Sequence, residues 1–393
     1  MKINYNRMYT NFNKLYVSKP LNYFQPETLN DLVYDVKRAT KPLRVIGSKH
    51  TFNDISMTTT NGTIIDTSKL NKVLNINQEN KTVTVQSGIK LHDLLRILDQ
   101  YHLTLPVMTA TSDISITGGI STGSHGSNVG TGSMSSLLVS AQFVTADGRI
   151  EQTDTNNIGA FRCSLGCLGA IYAVTLQCVD MFSIKEKVSR SSWKDIAEKM
   201  DVILQKYPYT QIDVDQFSKD LDSVVYLREK VAYDKSLGYA YEVLTGSSAG
   251  SWYIEIELAF PYELASTAIK AVSKFHRQYK KKYNVYTDAP LLIRFSSSDN
   301  TLISMASGRK TIYISTFFGK EYDPDTVNKF MWSLSDEMVK KYGARPHYGK
   351  QHNLDKQQMY QLYGNKYDSF LKIKNNYDPD GKFDNDYIKR IIQ

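Results

Sequence analysis

The stretch Thr109–Gly132, TATSDISITGGISTGSHGSNVGTG, constrains this chain more than any other. Six of the 22 glycines fall in its last fifteen residues: Gly118, Gly119, Gly123, Gly126, Gly130 and Gly132. Glycine lets the backbone take positive φ and lets another group come close to the main chain. Successive N–H groups in such turns form concave nests that bind anions, and hydroxyls such as Ser121, Thr122 and Ser124 add donors. A phosphate or pyrophosphate is the natural guest. Ile114, Ile116 and Ile120 alternate with small polar residues, which predicts a half-buried strand leading in rather than a flexible linker.

With 393 residues the chain has room for two domains, each with its own core. Its 41% apolar and 22% charged residues are those of a globular protein. The net charge of +8 favours anionic partners. The basic residues are scattered, however. The only dense run, Tyr279–Tyr283, closes a predicted helix, where cations suit the dipole. No basic–aromatic motif is present, so no nucleic-acid partner is expected. Cys163, Cys167 and Cys178 share one apolar segment without nearby histidines, which fits reduced core thiols better than disulfides or a metal site. The N-terminus lacks a signal-type apolar core, and no window approaches the ~20 apolar residues of a membrane span. A soluble, cytoplasmic protein is expected, with its oligomeric state open.

The first part mixes short elements without a βαβ rhythm. Helices are predicted over Pro26–Thr40 and around Leu91–Leu98. Strands are predicted at Pro42–Gly47, Thr63–Asp66, Leu137–Ala146 and Ala170–Cys178. Val73–Ile76 and Thr82–Gln86 form a hairpin, and Asp147-Gly148 marks another turn, with Arg149–Gln152 returning. Neither the Rossmann G-x-G-x-x-G after a strand nor a Walker A sequence occurs. From about residue 183 helical patterns (Trp193–Tyr207, Leu264–Tyr283, Thr326–Tyr342) alternate with strand-like runs (Ser223–Leu227, Trp252–Phe260, Leu291–Phe295, Thr311–Phe317). That predicts an α+β domain with helices on an antiparallel sheet.

Three separated clusters need a common purpose: His50 after a strand, the glycine-rich loop with His125, and the cationic Arg345–Lys350. A bound nucleotide cofactor suits all three. The strings VIGSKHTFNDI, GGISTGSHGS, LVSAQFVTADG, LGCLGAIYAVTLQC and ARPHYGK together resemble the sugar-1,4-lactone and alditol oxidases, which are vanillyl-alcohol-oxidase-type (PCMH-type) FAD flavoproteins. The likeness covers residues 40–182, returns at 344–352 and is faint between. It implies an α+β fold with a two-lobed FAD-binding domain (1–182), a cap or substrate domain (183–343) and a C-terminal segment (344–393) returning to the active site.

The resemblance also implies residue roles. His50 matches the histidine bonded covalently to the flavin. The backbone of Gly118–Gly126, with Gly118, Gly119, Gly123 and Gly126, would cradle the pyrophosphate, and Ser121, Thr122, Ser124 and His125 would lie beside it. Gly47, Ser48, Lys49 and Thr51 would line the other side, with Thr109, Ser112, Gly169 and Ile171 also near the cofactor. Lys350 matches the lysine that offsets charge on reduced flavin, Arg294 an arginine that orients the substrate hydroxyl, and His347 would shape the same wall. The implied reaction is hydride transfer from a carbohydrate carbinol to flavin N5, with O2 or another electron acceptor.

This chain departs from the family pattern at two positions. Leu292 stands where relatives carry a glutamate, with Glu255 or Glu257 on a neighbouring predicted strand as substitutes. Thr109 stands where they carry glycine or alanine, and its bulk could restrict oxygen. Besides an oxidase, a dehydrogenase passing electrons to a quinone or cytochrome and a flavin-binding protein without turnover remain open readings.

Overall fold

In the computed structural model, which describes residues 7–393, local sequence explains each element that frames the site. Thr28 and Asp31 form a capping box at the start of Leu29–Arg38, and the Leu32/Val36 stripe of that helix is fully buried. Leu91–Asp99 buries Leu91, Leu94, Leu95 and Leu98 at helical spacing. Asn22–Phe24 and Leu43–Ile46 flank Thr63–Asp66 in a three-stranded parallel sheet. A second sheet is antiparallel, in the order Ile150–Gln152, Leu138–Val144, Ala170–Gln177, Thr82–Gln86, Val73–Asn77. These two lobes share one apolar core, which also takes in Leu354, Met359, Tyr363, Phe370, Tyr387 and Ile391 from the end of the chain.

A second core lies under a seven-stranded antiparallel sheet. Its order is Phe182–Ser192, Asp222–Ala232, Gln211–Val214, Leu291–Ser296, Thr311–Gly319, Tyr253–Pro261, Arg345–Pro346. Helices Ala265–Tyr283 and Pro324–Tyr342 cover one face. Strand alternation divides the labour. Ile212, Ile293, Ile314, Ile256 and Leu258 point into that helix-covered core. Their neighbours Leu292, Arg294, Glu255, Glu257 and Phe317 point to the opposite side, where they line a chamber.

The element pattern read from sequence holds in most places, and four differences are instructive. The predicted strand through Ile114, Ile116 and Ile120 is a short helix, Ile116–Ser121. Ile116 and Ile120 lie four residues apart, so helical geometry buries both, and so short a pattern does not separate the two periods. Trp193–Tyr207 is two helices, Trp193–Glu198 and Met200–Lys206, joined at Lys199. The eleven-residue strand Phe182–Ser192 has a buried start and an exposed, charged remainder, so its sequence carries no clean alternation. Helices Lys356–Tyr363 and Asn365–Tyr377 were likewise absent from the pattern. Cys163, Cys167 and Cys178 are buried free thiols, with burial pushing Cys167 and Cys178 up to about 12. No helix among the described residues is long and apolar enough to cross a membrane.

Candidate active site

A groove runs between the two lobes of the first core. Gly47, Ser48, Lys49, His50 and Thr51 form one wall. Gly118, Gly119, Ser121, Thr122 and Ser124 form another, and Leu165, Gly166, Gly169 and Ile171 close it. The walls are clamped together by reciprocal bonds: Ser115 N donates to Ser48 Oγ (2.9 Å) and Ser48 N to Ser115 Oγ (3.4 Å). Gly47 is required there, because a Cβ would lie 1.9 Å from Ser115 Oγ. Two buried hydroxyls on the groove wall, Ser87 Oγ and Thr117 Oγ1, have no hydrogen-bond partner among the described residues. Buried polar groups without partners are costly, so these two suit a polar guest. The narrow shape, glycine walls, spare hydroxyls and Lys49 fit a dinucleotide such as FAD.

Not every residue of the glycine-rich loop faces that groove. Gly126 packs against its neighbours instead, where a Cβ would sit 2.2 Å from the Met108 carbonyl oxygen. Gly123, at φ +74°, faces Met305 and Cys163. Ser112 is spent on structure, donating N–H (2.8 Å) and Oγ–H (3.2 Å) to the Gly246 carbonyl. His125, read from sequence as lying beside the pyrophosphate, turns away from the groove and into the chamber. Its short bond to Glu257 explains the turn.

The cationic cluster reaches the site through two stapled turns. Asn53 Nδ2 donates to the carbonyls of Tyr348 (2.8 Å) and Lys350 (2.6 Å), and Gln351 Nε2 donates to the Phe52 carbonyl (2.6 Å). Phe52 N donates to Gly349 O (2.8 Å). Residues 295 to 299 positions apart in sequence are thereby held as one unit beside His50. Asn53 stands within the VIGSKHTFNDI motif, whereas no sequence motif marks Gln351.

The chamber opens from the groove at His50, Ile114, Thr122 and Ser124. Thr109, Arg294, His347 and Lys350 all line it. Burial, with Lys350 adding to it, pulls the His50 imidazole down to about 4, so it is neutral near pH 7. Its ring packs on Phe12, with centroids 4.3 Å apart. Lys350 Nζ forms an ion pair with Glu255 Oε2 and lies 4.4 Å from the Phe52 ring centre. His347 Nδ1 accepts from Gly349 N–H (2.9 Å), which leaves its proton on Nε2 in the neutral form that burial enforces, at about 3. Arg294 is half-buried, and among the described residues it makes only a long contact (3.5 Å) to Gln211 Oε1.

Glu257 and His125 join the two cores. His125 Nδ1 lies 2.9 Å from the Gly126 carbonyl, which can only accept, so Nδ1 carries hydrogen. One proton is then shared between Nε2 and Glu257 Oε1, 2.7 Å away. Ser315 Oγ donates to Glu257 Oε2 (2.7 Å), and the Tyr313 ring stacks on the imidazole with centroids 3.4 Å apart. Burial alone would raise the Glu257 carboxyl, but His125, His347 and Lys350 outweigh it and hold it well below the usual range. His125, Glu257 and His347 bring ligand-type atoms within 4.8 Å of one another, but the first two are bonded to each other and His347 Nδ1 is already used. Glu255 and Glu257 do not stand next to Leu292. The Thr311–Gly319 strand lies between, and Leu292, Ser315 and Glu257 share one rung. The even alternation Tyr313, Ser315, Phe317 was the available sequence signal for this third strand.

A two-lobed dinucleotide groove roofed by an antiparallel cap defines a class, the PCMH-type FAD-dependent oxidoreductases. Solved structures share that fold: a cholesterol oxidase from Brevibacterium sterolicum (TM-score 0.79, 13% identity, 98% of this chain and 97% of that one) and a solvent-stable cholesterol oxidase (TM-score 0.82, 12% identity, 99% and 98%). The FAD binding domain family model matches residues 20–154, and the D-arabinono-1,4-lactone oxidase model matches residues 213–391. L-gulonolactone oxidase of Mus musculus is 26% identical over 98% of each chain. L-gulono-1,4-lactone dehydrogenase of Mycobacterium tuberculosis is 26% identical over 93% of each. D-arabinono-1,4-lactone oxidase of Candida glabrata is 31% identical over 52% of this chain and 42% of its own. Over most of its length the chain is similar to sugar-1,4-lactone oxidases and dehydrogenases, with a FAD binding domain in its first half.

Proposed function

We propose that this enzyme oxidises a CH–OH group of a sugar lactone or closely related carbohydrate. One observation carries the reading: a neutral imidazole, a lysine, an arginine and two carboxylates converge in a chamber that opens onto the dinucleotide groove. Two separate cores and the packing of the chain's end into the first of them support reading a FAD domain (1–182), a cap (183–343) and a returning segment (344–393), although Ile303 and Met305 of the cap range pack in the first core.

Gly47–Thr51, Gly118, Gly119, Ser121, Thr122, Ser124, Gly169 and Ile171 would hold the FAD, with Ser87 and Thr117 supplying spare hydroxyls. When bound, its isoalloxazine accepts hydride from the carbinol carbon. His50 is kept neutral by burial; its Nε2 lies 3.4 Å from Ser248 Oγ, and Nδ1, which has no partner among the described residues, is the nitrogen suited to a covalent link to the flavin. Lys350 supplies positive charge where negative charge builds on reduction. Arg294, with spare donors, orients the substrate oxygen through its fixed fork. His347 offers Nε2–H to the same wall. Hydroxyls of Ser247, Ser248 and Ser251 suit a polyhydroxylated substrate.

O2 is one acceptor consistent with the relatives, giving H2O2, and a dehydrogenase acceptor is the other, since relatives of both names align along most of the chain. Thr109 on the chamber wall favours the second. Anaerobic mixing of the yellow holoprotein with a panel of 1,4-lactones, alditols and sugars tests the reading. Bleaching by a lactone supports it, and no bleaching by any member overturns it.

A further inference from the structure

The chamber holds several groups able to exchange a proton, and the hydrogen bonds sort them. His125 has both ring nitrogens committed, to Gly126 O and to Glu257. Glu257 has both oxygens committed, to His125 and to Ser315. His347 already accepts at Nδ1 and can only donate at Nε2. Lys350 is paired as an ammonium. Glu255 differs: Oε2 meets Lys350, whereas Oε1 has no partner among the described residues, and the side chain lines the chamber.

Resting on the function proposed above, we propose that Glu255 is the catalytic residue that receives the substrate hydroxyl proton. The O–H bond breaks and its proton passes to Glu255 Oε1. The carbon-bound hydrogen leaves with its electron pair as hydride to the bound FAD, and C–O becomes C=O. The carboxylate is thereby neutralised, and the Lys350 ammonium loses its counter-charge within the chamber as negative charge reaches the cofactor. Burial raises the Glu255 carboxyl and Glu257 adds to that, while Lys350 and Arg294 oppose it, leaving it above the ordinary range. Tyr253 and His50 are the remaining titratable groups on that side of the chamber. A carboxylate at position 292 would enter the same chamber, because Leu292 lines it.

The test uses the full-length holoenzyme. Glu255→Gln is expected to slow anaerobic bleaching by the best lactone about 10²–10⁴-fold near pH 7. Part of the rate should return as pH rises and the hydroxyl loses its proton to solvent. Adding Leu292→Glu to that variant should restore at least a tenth of the rate, whereas Glu257→Gln should not reproduce the pH-dependent loss. Unchanged bleaching in Glu255→Gln, or a loss equal at every pH, overturns the proposal. If no member of the carbohydrate panel bleaches the unaltered enzyme, the functional reading fails separately. Glu255 is then judged by infrared titration of its carboxyl band, identified by its loss in Glu255→Gln. A midpoint above the ordinary carboxylate range upholds the proton-acceptor role, and an ordinary one overturns it.

Discussion

The bond between His125 and Glu257 couples the glycine-rich loop to the cap sheet, and its removal separates charge from shape. In Glu257→Leu the side-chain volume stays similar, but His125 Nε2 and Ser315 Oγ lose their partners in a buried site. Leaving one partner of a buried ion pair alone costs roughly 3–5 kcal/mol. Glu257→Gln keeps both bonds: the amide N–H donates to the lone pair of neutral His125 Nε2, and the amide oxygen accepts from Ser315. That variant should lose on the order of 1 kcal/mol. At about 2–4 °C per kcal/mol for a unit of this size, the Leu variant should melt on the order of 10 °C lower and the Gln variant a few degrees lower.

The pH dependence has a definite sign. The Glu257 carboxyl is depressed in the folded protein, so its stabilisation is present above the unfolded-state value of 4.5 and is lost as pH falls through the folded one. Thermal unfolding followed by fluorescence, from pH 7 down to 4 and below, is the assay. The gap between wild type and Glu257→Gln should narrow on acidification. Equal losses in the Gln and Leu variants, or a gap indifferent to acid, would refute the shared-proton pair.

Other expectations concern the cofactor. His50→Ala should release all flavin on acid precipitation, whereas the unaltered protein keeps its yellow colour in the pellet; colour in the wild-type supernatant removes the covalent link. Lys350→Ala should slow flavin reduction by substrate about 10²-fold or more, and normal anaerobic bleaching would rule out its role. Gly126→Ala places a Cβ 2.2 Å from the Met108 carbonyl oxygen and should sharply reduce the yield of folded protein on expression. Thr109→Gly should speed reoxidation of the reduced enzyme by air, and fast reoxidation of the unaltered enzyme would exclude a gate at this position.

Local chemistry determined much of this protein before any folding was considered. Capped helices such as Leu29–Arg38, the Val73–Gln86 hairpin and the Leu291–Phe295 and Thr311–Phe317 runs are specified by spacing of a few residues. The motifs around His50, Gly118–Gly126 and Arg345–Lys350 pointed to a flavin for the same reason: glycine, hydroxyl and imidazole chemistry is written in consecutive residues. Direction and pairing were decided elsewhere. His125 faces the chamber because Glu257, 132 positions away, draws its Nε2. Glu255 and Lys350 meet because the Tyr253–Pro261 strand pairs with Arg345–Pro346 and Gln351 N–H donates to the Glu255 carbonyl (2.9 Å). Ile116 and Ile120 form a helix because close packing chose between two periods that both bury them. A sequence records which groups exist, but buried partners set where each lone pair and proton goes, and those partners are neighbours only after the two cores close.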